Sequence, residues 1–471
     1  MYINTFLILL INFIFLTFNF LVNGEPSLVV HSLTHKSFKN NSLNFDFQKF
    51  NDFNKFIKLN LFNFSNDLRP FNLKSINFSN DINQSKFKVR KLQDDPNINN
   101  YFDDGVWTIF PHIGTPNQTV FMAIDLENPD FIVESTVLCD FSCSFNTFDQ
   151  SNSSTYKTLN HNKSQIKQFN ISENGFDLIS ISEMTAVNQS IGLISSVKNS
   201  SDIVEQNVQN LLSGTIGLAY ENGKENLCLN MKNKGIISKN IFSMMLIPKY
   251  GIDFCKSNAS FCDDKIKDGG IFIFGGYDIN LLLDNTDPES QIYWVPVIDK
   301  NKWIVQFPSD AGIIYMGLIN GTLQISGGKF GNYMVPTLIT TTSQVVFSVT
   351  LARTLSELHH GWVDPTYGYV GRCGGMIPPC FLFPYGNGVN PKIYSVMDYS
   401  HFYTKPIPND NTTCYAGFSD MNLANTSYWV LGTPFFATLE MHDLKKVFTG
   451  LYTIFDRDND RIGFVRGRVK T

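Results

Sequence analysis

From Tyr101 to the end of the chain, short apolar or alternating runs are broken by Gly, Pro, Asn and Asp at close spacing. Runs of this length that are rich in β-branched and aromatic residues are typical of strands. Leu451–Val465 holds two such runs on either side of a charged turn, which indicates a hairpin. Helical periodicity predicts two short helices, over Ile236–Met245 and Leu439–Val447. The pattern therefore predicts an all-β protein, and a region of this length favours two β lobes over one sandwich.

The first residues of the chain follow a different pattern. Phe6–Val22 is a nearly unbroken apolar run, and Asn23 and Gly24 follow it. Such a run at an N-terminus is typical of a secretory signal peptide, so we predict that residues 1–24 are removed; an uncleaved signal anchor is the alternative. No apolar run of about 18 residues occurs later, so we expect no stable membrane span after signal cleavage.

Residues 25–95 differ in composition from the rest, because they are rich in Asn, Phe and Lys and contain no cysteine. They end in a basic and then acidic stretch, KFKVRKLQDDP. One interpretation is a removable pro-segment with a processing site at Arg90-Lys91. The other is a retained, poorly ordered glycosylated arm.

Composition and charge exclude some classes of function. Apolar residues make up 43 % of the 471 residues and charged residues 17 %, so the chain can form a sizeable core. Its 37 basic and 42 acidic residues give a net charge of −5. A general nucleic-acid binder needs a basic surface to displace phosphate counterions, so we expect no nucleic-acid partner.

The eight cysteines contain no Cys-x-x-Cys pair, which favours disulfides over a metal site. We therefore predict no metal and no cofactor. Cys255 and Cys262 bracket a short insertion, so a local loop closure is plausible, while Cys228 and Cys373 either pair with each other or remain thiols.

Glycosylation sequons are dense along the chain and agree with export through the secretory pathway. We predict a secreted or endolysosomal protein. The candidate sites in the β region are Asn117, Asn152, Asn162, Asn170, Asn188, Asn199, Asn258, Asn320, Asn411 and Asn425.

Val106–Ser135 resembles the amino-terminal block of the pepsin-like aspartic proteases, in which an Ile-Gly-Thr-Pro-Pro-Gln turn leads to a strand that ends in Asp-Thr-Gly-Ser. Further landmarks follow in the family's order, so that the resemblance covers roughly residues 100 to 467. They are Ser153–Tyr156, Gly214–Tyr220, Gly269–Asp278, Tyr293–Val297, Trp429–Phe436 and Tyr452–Val465.

The resemblance implies a bilobal, all-β acid-protease fold with a substrate cleft between the lobes and one aspartate from each lobe. We expect an amino-terminal lobe over 100–297, which includes the first half of an inter-lobe sheet, and a carboxy-terminal lobe over 298–471. In the family the glycine after paired apolar residues packs beneath each catalytic loop, and here those glycines are Gly217 and Gly432.

Peptide hydrolysis in this family requires two carboxylates about 3 Å apart that share one proton. Asp125 matches the first aspartate, but Leu126 replaces the bracing Thr and Glu127 replaces the Gly. The second loop matches Ile339–Ser343, where Ile339, or Thr340 if the register shifts by one, replaces the aspartate. No acidic residue lies between Asp310 and Glu357, so no plausible shift restores a carboxylate.

The resemblance also implies neighbours of this centre. Glu127, Thr341 and Thr342 are expected beside Asp125 as binding residues. The family's flap tyrosine, in a Tyr-Gly-x-Gly hairpin tip, falls near Glu173-Asn174-Gly175, which contains no Tyr but makes Glu173 a fourth candidate. Two disulfides are implied, Cys139–Cys143 and Cys380–Cys414.

Three functions fit these observations. The first is a secreted pseudoprotease, a monomer that binds an extended peptide or a protein partner in its cleft without cutting it. The second is a working aspartic endopeptidase with a rearranged centre formed by Asp125 and Glu127. The third is a structural glycoprotein of a cell surface or matrix.

Overall fold

The structure is a computed structural model, in which the predicted signal peptide, the pro-segment and its processing site lie outside the described residues. The described ranges are 107–139, 147–160, 164–167, 169–197, 212–220, 224–248, 269–282, 288–299, 301–307, 311–319, 322–329, 336–342, 344–374, 379–384, 391–397, 402–438, 440–442 and 447–468.

The first part of the described chain forms ten strands, which hydrogen-bond in the order β1-β4-β10-β5-β9-β8-β2-β3, with β6 and β7 paired to β8. Along β8 buried and half-buried residues alternate, which is the period of a strand with one face on the core. A 3₁₀ turn spans Gln150–Asn152. The strands are β1 (Thr108–Ile109), β2 (His112–Ile113), β3 (Gln118–Thr119), β4 (Met122–Asp125), β5 (Phe131–Glu134), β6 (Lys157–Asn160), β7 (Ser164–Ile166), β8 (Phe169–Ile181), β9 (Met184–Val197) and β10 (Gly214–Gly217).

The next part contributes strands to a sheet that the end of the chain completes. Its elements are α1 (Leu227–Asn233), β11 (Ile241–Leu246), β12 (Gly270–Phe274), a 3₁₀ turn (Ile279–Leu281), α2 (Pro288–Gln291) and β13 (Tyr293–Pro296).

The remaining elements form the carboxy-terminal part of the described structure. They are β14 (Ile304–Gln306), β15 (Gly312–Ile319), β16 (Thr322–Lys329), β17 (Pro336–Ile339), β18 (Val345–Phe347), α3 (Val349–Leu358), β19 (Trp362–Asp364), β20 (Gly368–Arg372), β21 (Cys380–Pro384), β22 (Pro391–Val396), β23 (Pro406–Ile407), β24 (Asp410–Tyr415), β25 (Ser419–Asp420), β26 (Trp429–Leu431), α4 (Thr433–Phe436), β27 (Glu440–His442), β28 (Val447–Asp456) and β29 (Arg461–Arg468).

Two sets of five strands repeat the same topology. The order β1-β4-β10-β5-β9 in the amino-terminal part corresponds to β14-β17-β26-β18-β25 in the carboxy-terminal part. In both sets the successive pairs are antiparallel, parallel, antiparallel and parallel. The two half-sheets are therefore related by an approximate internal symmetry, and the predicted all-β, bilobal fold is confirmed.

A third sheet, in the order β12-β11-β28-β29-β13 with β27 on β28, joins strands from the middle and the end of the chain. Its β28 and β29 form the hairpin predicted for Leu451–Val465. Buried aromatic rings pack on this sheet, with Phe242 and Phe455 stacked at 4.6 Å. Trp303 contacts Phe455 and donates from Nε1 to the carbonyl oxygen of Leu218 at 2.8 Å. One continuous core thus supports the ends of both half-sheets.

The helix predicted over Ile236–Met245 is wrong, because Ile241–Leu246 is strand β11. All six residues of β11 are buried, and a fully buried strand has no periodicity that distinguishes it from a helix. Of the second predicted helix, Leu439–Val447, the described part includes strand β27. Across the described ranges, none of the helices has the length and apolar character that a membrane crossing requires.

Candidate active site

The two loops that correspond to the catalytic loops follow β4 and β17. Beside β4, the parallel strand β10 places Gly217 opposite Asp125. Beside β17, the parallel strand β26 places Leu431 opposite Ile339, so the next residues are Thr340 and Gly432. Because the half-sheets share one topology, Thr340 is the counterpart of Asp125. Of the two alternatives from the sequence, the structure therefore favours Thr340, and Ile339 is a fully buried core residue.

Thr341 holds the two loops together. Its hydroxyl donates to the carbonyl oxygen of Ile124 at 2.6 Å and accepts from the backbone N–H of Leu126 at 3.4 Å. The reciprocal brace is missing, because the Leu126 side chain has no hydroxyl and is fully buried. One of the two cross-loop braces is therefore kept, on the side of the second loop.

The glycines behind the loops allow each loop to pack closely on the strand beside it. A Cβ on Gly217 would lie 2.4 Å from the carbonyl oxygen of Asp130. A Cβ on Gly432 would lie 2.1 Å from the carbonyl oxygen of Thr342. Both neighbours are backbone atoms, so neither position has room for a side chain.

Asp125 is 6 % exposed, and nitrogen donors surround its carboxylate. Oδ1 accepts from the backbone N–H groups of Glu127 at 2.8 Å and Asn128 at 3.3 Å. The Lys167 ammonium lies 3.0 Å from Oδ1 and 2.9 Å from Oδ2. In a catalytic pair, the second carboxylate would share a proton with Asp125. Here the negative charge of Asp125 is balanced by the Lys167 ammonium instead.

Lys167 lies in the turn of a hairpin between β7 and β8. Its φ of +52° is a left-handed conformation that suits a tight turn. The side chain is 35 % exposed and reaches across to Asp125. This hairpin, here called the flap hairpin, brings Lys167 to the first loop. The sequence could have indicated the position of this turn, because the alternating pattern of β8 begins at Phe169, directly after it.

The flap tip predicted at Glu173-Asn174-Gly175 is wrong, because all three residues lie within β8. The Glu173 carboxylate accepts from the Tyr156 hydroxyl at 2.8 Å and from Thr158 at 3.1 Å. Burial, together with the hydrogen bond to Glu173, raises the pKa of Tyr156. A Cβ on Gly175 would lie 2.3 Å from the Tyr156 hydroxyl, so this glycine makes room for that ring. Glu173 therefore has a structural partner and is not brought to Asp125 by any described contact.

Glu127, Thr341 and Thr342 make contacts between and within the two loops, and their role in binding stays a prediction. The Thr340 hydroxyl donates to Oε1 of Glu127, which brings a carboxylate of the first loop to the position of the missing aspartate. The Thr342 hydroxyl is buried and has no hydrogen-bond partner among the described residues.

The disulfide predicted between Cys380 and Cys414 is wrong: Cys414 is bonded to Cys373, with Cα atoms 4.9 Å apart. Cys414 lies in β24, which pairs with β20, and Cys373 directly follows β20. Cys380 begins β21, which belongs to a different sheet. Cys228 is a buried thiol that donates to the carbonyl oxygen of Ile241.

Cys139 is disulfide-bonded, while Cys143, Cys255 and Cys262 lie outside the described residues. Among the described residues, no cluster of His, Cys, Asp and Glu is arranged to hold a metal ion.

The described sequons are mostly accessible to glycosylation. Asn170 is half-buried and its amide donates to Ser196 at 2.8 Å. The other candidates, Asn162, Asn199, Asn258 and Asn320, lie outside the described residues. The exposed ones are Asn117, Asn152, Asn188, Asn411 and Asn425.

The two half-sheets are related by an approximate symmetry, and each carries a loop that contacts the loop of the other half. A glycine supports each loop from behind. This arrangement defines an aspartic-protease fold. The model of the eukaryotic aspartyl protease family matches residues 109–466, and the chain belongs to this family.

Individual relatives are distant. Pregnancy-associated glycoprotein 1 of Ovis aries is 24 % identical over 372 residues, which covers 75 % of this chain and 80 % of that protein. The pregnancy-associated glycoprotein of Equus caballus is 25 % identical over 379 residues, 78 % of this chain and 82 % of that protein. A vacuolar aspartic protease of Candida albicans is 25 % identical over 221 residues, 45 % of this chain and 46 % of that protein.

The brace at Thr341 gives a direct test of this geometry. Thr341→Val is expected to lower the free energy of unfolding by about 1–3 kcal/mol, because a backbone carbonyl and an N–H lose their shared partner. Thr342→Val is the matched control, for which no loss of stability is expected, because the hydroxyl it removes is buried and has no hydrogen-bond partner among the described residues. Urea unfolding measures both. Equal losses in the two variants would contradict the assignment of the brace to Thr341.

Proposed function

We propose that the chain is a secreted pseudoprotease, which binds an extended polypeptide or a protein partner in its cleft without hydrolysing it. The observation that carries this proposal is the composition of the centre: Thr340 stands in the second loop at the position that corresponds to Asp125 in the first, and Lys167 binds both oxygens of Asp125.

The chemistry of the centre supports this function. A dyad works because two carboxylates share a proton, so that one activates water while the other donates to the scissile carbonyl. A threonine hydroxyl does not ionise at acidic or neutral pH, so Thr340 cannot share a proton as a carboxylate does. Its hydroxyl donates to Glu127. Lys167 occupies both oxygens with which Asp125 would hold a water. The scaffold of a peptide cleft is retained while its reaction centre is not.

The proposed route through the cell rests on the sequence and on the names of the relatives. The apolar N-terminus favours export, and the exposed sequons offer sites for glycans. Two relatives are named glycoproteins and one is named a vacuolar protease. We therefore place the protein outside the cell or in an endolysosomal compartment.

One contact favours a second candidate, an active endopeptidase with an atypical centre. The Glu127 carboxylate reaches the Thr340 hydroxyl, so that Asp125 and Glu127 together bring two carboxylates from the same loop to the centre. If Lys167 alone kept this pair inactive, removing its charge would expose a working centre.

Proteolysis assays separate the two candidates. The full secreted chain, its Lys167→Met variant and its Asp125→Ala variant are incubated with denatured haemoglobin and casein between about pH 3 and pH 6, with and without pepstatin. We expect no pepstatin-sensitive cleavage by any of them, because Lys167→Met restores no carboxylate at Thr340. Cleavage by the wild type or by Lys167→Met that Asp125→Ala abolishes would establish the second candidate instead.

A further inference from the structure

The centre already contains a cation, and it comes from the chain itself. Lys167 extends from the flap hairpin and holds both oxygens of Asp125. Its own side chain is 35 % exposed, whereas that of Asp125 is 7 % exposed. The lysine therefore closes the flap over the first loop and is itself accessible from the outside.

An occupant that lies between the flap and the loops has to separate this ion pair. Separation would leave the Asp125 carboxylate buried with two backbone N–H groups and no cation. A buried charge that loses its partner is strongly destabilised. An uncharged ligand bears this cost in full, whereas a ligand that brings its own cation avoids it.

The two loops themselves, residues 126–130 and 340–344, contain no Lys, Arg or His. The first loop adds a second carboxylate, Glu127, and the second loop adds the hydroxyls of Thr340, Thr341 and Thr342. These side chains and Lys167 together carry two negative charges and one positive charge. Electrostatic complementarity therefore favours a cationic group at this position and disfavours an acidic one.

We propose that the cleft selects polypeptides that present a Lys or Arg side chain to Asp125, in exchange for Lys167. This inference rests on the proposed peptide-binding function and specifies the residue that a bound peptide supplies. Lys167 competes with the ligand for Asp125. The apparent affinity for the ligand is therefore reduced, because only the molecules in which Lys167 has left Asp125 can bind it.

Synthetic peptide pools test this exchange. The probes are fluorescent octapeptide pools in which one central position is Lys, norleucine or Glu, and the other positions are mixtures of uncharged residues. Norleucine matches the lysine stem without its charge. Binding is measured by anisotropy with the full chain as wild type, Asp125→Asn, Lys167→Met and Lys232→Met. Lys232 pairs with Asp458 elsewhere, at similar exposure, and is the matched control.

We expect the wild type to bind the Lys pool at least about tenfold more tightly than the norleucine pool, and the Glu pool most weakly. Asp125→Asn keeps an oxygen for the backbone donors but is expected to remove the Lys preference. Lys167→Met is expected to bind the Lys pool about tenfold more tightly than the wild type, whereas Lys232→Met leaves binding unchanged.

The outcomes distinguish this inference from the function on which it rests. Equal binding of the Lys and norleucine pools would overturn the inference and leave peptide binding intact. A Lys preference that persists in Asp125→Asn would also overturn it. If no pool bound to the wild type or to Lys167→Met, both the inference and the proposed peptide binding would fail. Should Asp125→Asn not fold, the Lys167→Met comparison decides alone.

Discussion

Cys373→Ser is expected to lower the free energy of unfolding by about 4 kcal/mol. Cys373 and Cys414 are separated by 41 positions, so the bond closes a long loop in the unfolded chain. In the chain-entropy description, that closure restricts the unfolded ensemble and stabilises the native state. The bond also ties the end of β20 to its partner strand β24.

Cys380→Ser is the matched control, because Cys380 is the partner that the family resemblance had implied. Its expected cost is below about 1 kcal/mol, since no disulfide is broken. Urea unfolding of the two variants gives the comparison. A digest under non-reducing conditions should yield one linked peptide pair that contains Cys373 and Cys414. A linked pair with Cys380, or a larger loss in Cys380→Ser, would refute the assignment.

Gly432→Ala is expected to cost about 3 kcal/mol or more, or to prevent folding. Its φ of −90° is ordinary for any residue, so the requirement for glycine is steric. The added Cβ would lie 2.1 Å from the carbonyl oxygen of Thr342 and 2.4 Å from that of Gln344. Both are backbone atoms of the second loop, which would have to shift and would carry Thr341 away from its partners in the first loop.

Gly368→Ala provides the comparison for Gly432→Ala. A Cβ there would meet nothing within 4 Å, but the φ of +73° is left-handed. Its expected cost is about 1–2 kcal/mol, from backbone strain alone. Thermal or urea unfolding measures both variants. A loss in Gly432→Ala no larger than that in Gly368→Ala would show that the second loop does not pack on Gly432 as closely as the structure places it.

Much of the fold could be predicted from the sequence, because the signals involved are local. Strands such as β8 alternate with period two, and the hairpin of β28 and β29 has two apolar runs around a charged turn. The landmark motifs occur in the order of the family, which implied the two lobes. Strand β11 shows the limit of such signals, because complete burial removes the periodicity.

The candidate site was only partly predictable. Asp125 and the lack of an acid in the second loop follow from residue identity alone. Residue identity does not decide whether Ile339 or Thr340 replaces the aspartate, because a shift of one residue along a strand exchanges the two faces of the sheet. The register between β17 and β26 decides this, through hydrogen bonds to a strand about 90 residues later in the chain.

The all-β character and the family therefore follow from which residues occur in which order, and the loss of one catalytic carboxylate is predicted on the same ground. The pairing of Lys167 with Asp125, the bond between Cys414 and Cys373, and the contact of Thr341 with the first loop became visible only in the folded chain. These contacts join residues that are far apart in the chain. Their partners are selected by strand pairing and close packing, which no local pattern records.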